Sequence, residues 1–444
     1  MSDNKKRNKD KNQVENNKES KTLKDTIKDT IKDVFKHELQ EKEISTDRFD
    51  EVIKDKNLFL EIFSPWHKTE GEELIKGFVN NVNGDNSNND FSWLDILDTD
   101  DRWEKFKDDK IKKEIKENKK KYTNMRYQIP SHFHGDIDNA VIFHCMENPR
   151  GYLGDWKDNQ IDEEFAGANL KEFYIQSASK REEKSKILKE IIRERYQLEE
   201  NTNKKISEDQ IEKIIYSNYE SALGREIEHM YKIDKNNKEF CNFDFENKEE
   251  LSKTVLLKDY YYLKEYYSQL IQTNQKLNFK KLKNVKSKVT NIANKICNVE
   301  IYPFSCAQPN LGEKGIGGKI LLKSDLSRLG AYIVLRRIYI YLDDKTEKPV
   351  IVFRKYDRAW KKLFNEIFKE AKIFEYKKVL ELLEKVFFYC QLAQQGKGIT
   401  SGNVISVPNY KTLLSMKKDA FEEISDLLPR IDIDKINVKE SGNE

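Results

Sequence analysis

The sequence predicts an α/β protein built on a parallel four-stranded sheet flanked by helices. Four short apolar runs, Ala140–Cys145, Cys297–Ile301, Val350–Phe353 and Val404–Val407, have strand length, and each leads into a distinctive polar loop. The segments between them carry helical periodicity, and strands alternating with helices close into a doubly wound parallel sheet. Right-handed crossovers then place all four strand ends on one edge. Ligands of open α/β sheets collect at that edge.

Composition narrows the class. The chain has 444 residues, 36% of them charged, with a formal net charge of +3 and only 8 prolines. Its mean hydropathy of −0.84 and the lack of any apolar run of about 18 residues predict no membrane span. The first residues, MSDNKKRNKDKNQVENNKESK, hold no apolar segment of a secretory signal, so a cytoplasmic protein is expected. So small a net charge excludes a globally basic nucleic-acid coat, and any DNA contact must come from a local patch. The cysteines, Cys145, Cys241, Cys297, Cys306 and Cys390, show neither CxxC spacing nor pairing. That pattern suits a reducing compartment and predicts no disulfide framework and no zinc ribbon.

Residues 1–22 lack apolar periodicity and read as a disordered polar tail. A helical region, 23–127, follows. Leu23, Ile27, Ile31, Val34, Phe35 and Leu39 mark one face of its first helix. That helix either packs on the body or docks a partner, a second copy included. Further helical pieces surround Phe59-Leu60 and Trp66, Asn80–Asn89 reads as a loop, and Lys107–Lys121 as a lysine-dominated helix. The α/β unit, 128–444, carries a helical insertion over about 180–285, including Lys180–Leu198 and Leu257–Ile271. Ser324 is the expected N-cap of a helix reaching Tyr341, Trp360–Ala393 is expected to be helical, and Gly315–Gly318 to be a mobile loop.

The most informative stretch is Gly135–Tyr152, GDIDNAVIFHCMENPRGY. A glycine-acid turn enters the first strand, which ends at Met146-Glu147-Asn148-Pro149 ahead of Arg150-Gly151. This segment resembles the first motif of the uracil-DNA glycosylase superfamily, in which a strand ends in GQDPY, GINPG or GEAPG. In the first two versions the residue before the proline positions the attacking water, and here it is Asn148. Glu147 falls where the GEAPG type carries its acid, so both stand as catalytic candidates.

The later strands continue the resemblance, over roughly 128–180 and 290–435. The second, NVEIYPFSC, lies where the family reads the flipped base, which implies base contacts for Asn298 and Glu300. Glu300 would accept from an exocyclic amine such as that of cytosine. The third, KPVIVFRKYDRAW, is similar to the family's structural strand kPkvIvalG..A. The fourth, NVISVPNYKTLLSMKKDAFEEISDLL, resembles the final HPS motif, with Pro408 at the proline, Asn409 at the serine and Val407 at the histidine. Valine cannot hydrogen-bond a departing base, which puts the activity in question.

The resemblance implies hydrolysis of the N-glycosidic bond of an altered or modified pyrimidine in DNA, single- or double-stranded, after base flipping. Tyr152 and Trp156 are the nearest stacking aromatics. Arg150, Lys411, Lys417, Lys418, Arg354, Lys355 and Arg358 would face phosphates, with the basic stretch Lys280–Lys295 as a further contact. No cofactor is expected: the four-cysteine iron–sulfur spacing of some family members is missing. His132, His134, His144 and Cys145 cluster in sequence without metal-ligand spacing, so no metal site is predicted. By analogy, such enlarged forms suit defence against phage carrying modified bases. Two other readings stay open: a catalytically inactive glycosylase fold that binds nucleic acid or a protein, and a helical interaction protein.

Overall fold

The computed structural model describes residues 23–83, 93–123, 130–149, 220–235, 239–241, 254–256, 260–271, 286–304, 306, 309–312, 314–392, 398–400 and 402–415. The tail 1–22, Arg150, Tyr152, Trp156, Lys180–Leu198, Lys417 and Lys418 lie outside them.

The first helix, α1 (23–41), is a packed body helix: Ile27, Ile31, Val34, Phe35 and Leu39 are fully buried. It is followed by α2 (Phe49–Lys54), α3 (Lys56–Phe63), α4 (Thr69–Asn83), α5 (Asp101–Lys105), α6 (Asp109–Glu117) and α7 (Lys119–Tyr122). Helix α4 runs through Asn83, so the first four residues of the expected loop, Asn80–Asn83, are helical, and the rest lies outside the described residues. The phenylalanine rings of this region pack on a long helix of the α/β unit, with Phe35 5.7 Å and Phe63 5.2 Å from the Tyr332 ring. Buried ions reinforce the join. Arg102 of α5 binds Glu38 of α1 at 2.6 Å and Asp325 at 2.5 Å, and also pairs with Glu370. Lys42 reaches Asp325 at 2.9 Å.

The strands are β1 (Phe133–His134), β2 (Ile142–Met146), β3 (Glu239–Cys241), β4 (Thr254–Leu256), β5 (Ile296–Glu300), β6 (Val350–Phe353), β7 (Phe388–Gln391) and β8 (Val404–Ser406). Six of them form one mixed sheet, in the order β1-β5-β2-β6-β7-β8. Its four central strands, β5, β2, β6 and β7, are parallel, with β1 and β8 antiparallel at the edges. Gly135 lets β1 turn into β2: its φ is +130°, and a Cβ there would lie 2.5 Å from the Ile296 carbonyl oxygen.

The remaining helices are α8 (Ala222–Lys235), α9 (Ser268–Ile271), α10 (Lys286–Asn294), α11 (Ile316–Lys323), α12 (Arg328–Asp344), α13 (Trp360–Glu370), α14 (Tyr376–Val386) and α15 (Val407–Ser415). Strand alternation divides them between two faces. Phe143, Cys145, Val299, Ile351 and Phe353 pack with α12 and α13, whereas Ile142, Met146, Ile296 and Val352 pack with α8, α10 and the tyrosine segment 260–271. The β2-to-β5 connection thus covers one face and the β5-to-β6 connection the other. Such a reversal is a topological switch point, and it opens at the carboxyl ends of β5, β2 and β6.

Several expectations are corrected. The fourth parallel strand is β7, hidden in a stretch read as helix because the apolar face of α14 runs straight into Phe387-Phe388. The predicted strand Val404–Val407 is instead the antiparallel edge strand β8, with Gln391 opposite Val404 and Tyr389 opposite Ser406. Between them lies a short return, 392–403, with no crossover helix among its described residues, and a short return forces antiparallel pairing. Ser324 closes α11 as its C-cap, and α12 begins after Ser327. Gly317 and Gly318 lie inside α11, where the Pro309 and Gly312 carbonyls pack too closely for any Cβ. The insertion also holds the small parallel pair β3 and β4.

Candidate functional site

The carboxyl edge gathers five of the predicted site residues, Glu147, Asn148, Glu300, Arg354 and Lys355, and Asn298 lies two residues inside it on β5. The loop after β2 stays tied to β5, since Ile301 N donates to the Met146 carbonyl at 3.2 Å and Tyr302 N to the Glu147 carbonyl at 3.0 Å. Asn148 donates its side-chain NH2 to the Cys306 carbonyl at 3.0 Å and to the Pro149 carbonyl at 3.1 Å. Those bonds commit the donor side of the amide to backbone and leave Oδ1 as its acceptor. Glu147 is held differently, its carboxylate 2.9 Å from the Lys355 ammonium. Lys355 adopts left-handed backbone, φ 51°, as the chain leaves β6.

Arg354 begins that loop and donates its backbone N–H to the Cys145 carbonyl at 2.9 Å. Its guanidinium donates to the Tyr266 hydroxyl at 3.0 Å and lies 5.7 Å from the Tyr266 ring centre. Asn298 and Glu300 of β5 share the face of their register partners His144 and Met146. Asn298 is fully buried and donates Nδ2–H to the Tyr267 hydroxyl at 2.6 Å. The same hydroxyl lies 2.9 Å from His144 Nδ1, and His144 Nε2 lies 3.4 Å from Gln391 Oε1. Asn298 Oδ1 and Glu300 Oε2 are buried and have no hydrogen-bond partner among the described residues.

Burial dominates the electrostatics. Desolvation pushes the Glu300 carboxyl up to about 8, with Arg354 opposing and Glu147 reinforcing, so at neutral pH it is mainly a neutral acid. Burial pushes His144 down to about 3, helped by the Arg354 charge, so its imidazole is neutral. The Tyr267 hydroxyl is raised well above its ordinary value by burial. The edge therefore offers two carbonyl-type acceptors, one neutral carboxylic acid and one guanidinium.

Pro408, Asn409 and Lys411 do not join this site. Because β8 is antiparallel, Val407 emerges at the amino edge of the parallel strands, where Val407 and Pro408 open α15. Lys411, one turn further along, is paired with the buried carboxylate of Glu384, which also accepts from the Tyr356 hydroxyl at 3.0 Å and lies 3.5 Å from the Lys361 ammonium. Arg150 and Tyr152 fall outside the described residues. His132 is spent locally, accepting from Trp66 Nε1 at 3.1 Å and lying 2.7 Å from the Leu326 carbonyl. Among the described residues no group of His, Cys, Asp or Glu could hold a metal ion, and no helix is long and apolar enough to cross a membrane.

The sequence reading missed Tyr266, Tyr267 and Gln391. The signal was the tyrosine run from Tyr260 to Tyr267. A π-helical turn at Leu263–Tyr267 brings both Tyr266 and Tyr267 inward, and such turns gather at functional sites. Glu226 caps that turn, accepting from Tyr262 N at 2.9 Å and Leu263 N at 2.7 Å. No family model, no curated protein and no solved structure matches this chain.

Proposed function

We propose that the carboxyl edge is the active site of a DNA glycosylase that hydrolyses the N-glycosidic bond of an altered or modified pyrimidine. The observation that carries the reading is the Asn148 amide, whose NH2 is fixed by the Cys306 carbonyl. Its remaining acceptor suits the orientation of a water for attack on C1′ of a flipped nucleotide. As the water oxygen bonds C1′, the C1′–N bond breaks, its electron pair leaves with the base, and a proton passes from water to solvent or base.

Asn148 is favoured over Glu147 because Glu147 is tied up with Lys355. Stabilisation of the departing base falls to Glu300, which as a buried neutral acid donates a hydrogen bond to the developing anion. Val407, at the amino edge, has no part in that step. Purified protein incubated with DNA carrying uracil, mismatched thymine, or hydroxymethylated or glucosylated cytosine is expected to leave alkali-labile abasic sites at one of these bases. The Asn148→Ala variant is expected to leave them at least about a hundredfold more slowly. Silence of the wild-type protein across the panel would overturn the reading.

A second reading follows from the antiparallel run of β8, which carries Val407 and Pro408 to the amino edge, and from the pairing of Lys411 with Glu384, which together remove the expected grip on DNA around the flipped nucleotide. On that reading the edge binds nucleic acid without cleaving it. Retained binding without base release would favour it.

A further inference from the structure

Four buried polar side chains on one face of the sheet form a continuous row from Gln391 through His144 and Tyr267 to Asn298. At its far end Gln391 Nε2 reaches the Gly398 carbonyl at 3.3 Å. A carbonyl only accepts, so Gln391 turns its NH2 to Gly398 and its oxygen to His144. His144 Nε2 faces that oxygen at 3.4 Å, and an oxygen that can only accept places the His144 proton on Nε2. The imidazole is neutral, so Nδ1 is an acceptor. Tyr267 must then give its hydroxyl proton to His144 and accept one from Asn298. The Gly398 carbonyl thereby sets the direction of every bond in the row, and Asn298 Oδ1 is left buried and unpartnered among the described residues.

We infer that Tyr267, His144 and Gln391 are positioning residues that lock the Asn298 amide with Oδ1 toward the ligand, so that the site takes a heterocycle whose buried edge carries an N–H donor. The inference rests on the base-binding reading of this edge. Glu300 stands two residues along the same strand on the same face, and its Oε2 is likewise without a partner among the described residues. A heterocycle with a donor beside an acceptor answers both groups. The amine and ring nitrogen of cytosine form such an edge, as do the imide N–H and carbonyl of uracil. Methylation of that N–H leaves a buried acceptor unpaired and weakens binding. Two of the three positioning residues, Tyr267 and Gln391, come from the insertion and from β7, outside the motif strands β2 and β5.

Two measurements on the intact chain test this. Nitrogen-15 spectra of histidine-labelled protein, with His144 assigned through His144→Gln, should show a neutral ring protonated at Nε2; protonation at Nδ1 overturns the inference. Calorimetric titration should show 1-methyluracil and 1-methylcytosine binding at least about tenfold more tightly than 1,3-dimethyluracil and amine-dimethylated 1-methylcytosine. In Tyr267→Phe, which keeps the ring and removes the hydroxyl, the gap should shrink to within about threefold as the amide gains freedom to turn. Gln391→Leu, which removes the source of polarity, provides the same readout if Tyr267→Phe does not fold. Equal binding of blocked and unblocked bases by the wild-type protein, or binding of neither, overturns the inference. Base release from DNA without any such edge preference would leave the glycosylase reading standing and end this one. The preference together with the Nε2 tautomer, but without base release, would do the reverse.

Discussion

Asn298 donates its amide to the Tyr267 hydroxyl at 2.6 Å, linking a strand of the parallel core to the inserted tyrosine segment. Both residues are fully buried. A buried amide with one end satisfied and the other unpaired is costly to keep, and Glu300 repeats the pattern two residues on. Two such oxygens on one face of β5, beside a topological switch point and without a partner among the described residues, support the proposed reading of a site for a polar ligand.

Glu147→Gln separates the two catalytic candidates. Its partner Lys355 is 43% exposed, so losing the pair should cost less than about 1 kcal/mol of stability. Base release should fall by less than about tenfold, whereas Asn148→Ala should lower it by about a hundredfold or more. Single-turnover rates on the cleaved substrate check this, and a larger loss in Glu147→Gln would reverse the assignment.

Glu300 should make stability depend on pH. The unfolded chain releases this proton near 4.5 and the folded protein near about 8. Between those values the folded state holds a proton that the unfolded state has lost, so stability falls as pH rises across that window. Glu226, raised to about 7 by burial, acts in the same direction. Glu300→Gln should flatten the fall and raise stability at pH 8 by ~2 kcal/mol. Urea unfolding from pH 5 to pH 8 measures both slopes; parallel slopes in the two proteins would exclude the assignment.

Arg102 joins three carboxylates, those of Glu38, Asp325 and Glu370, between the N-terminal helices and the α/β unit. Arg102→Met leaves Glu38 and Asp325 buried with weaker compensation. The expected cost is ~3 kcal/mol, as for removing one partner of a buried ion network. Hydrogen exchange should speed up most in residues 27–39, whose helix loses its polar anchor. Unchanged protection there would show that the apolar contacts alone hold α1.

Lys355 pays for its left-handed backbone in strain. Comparing Lys355→Gly with Lys355→Ala isolates this, because both remove the ammonium. The glycine variant should be the more stable by ~1 kcal/mol. Equal melting temperatures would mean that the turn relaxes when the side chain is lost.

The sequence by itself determined strands at 140–145, 297–301 and 350–353, which the structure sets at Ile142–Met146, Ile296–Glu300 and Val350–Phe353, because short apolar runs bounded by turn residues are local signals. It also placed Glu147 and Asn148 at a strand end, since a proline there stops the ladder. Only the tertiary structure decided that Phe388–Gln391 is a strand and that Val404–Ser406 runs antiparallel to it. Strand direction depends on how the chain returns to the sheet, and residues 404–406 do not encode that on their own. The same reversal moved Val407 and Pro408 to the far edge. The row from Gln391 to Asn298 was equally hidden, because its members are up to 247 residues apart and meet only when two connections fold onto one face of the sheet. Local patterning fixes which residues extend and which coil, whereas the chemistry of the site depends on long-range pairing that only the closed sheet supplies.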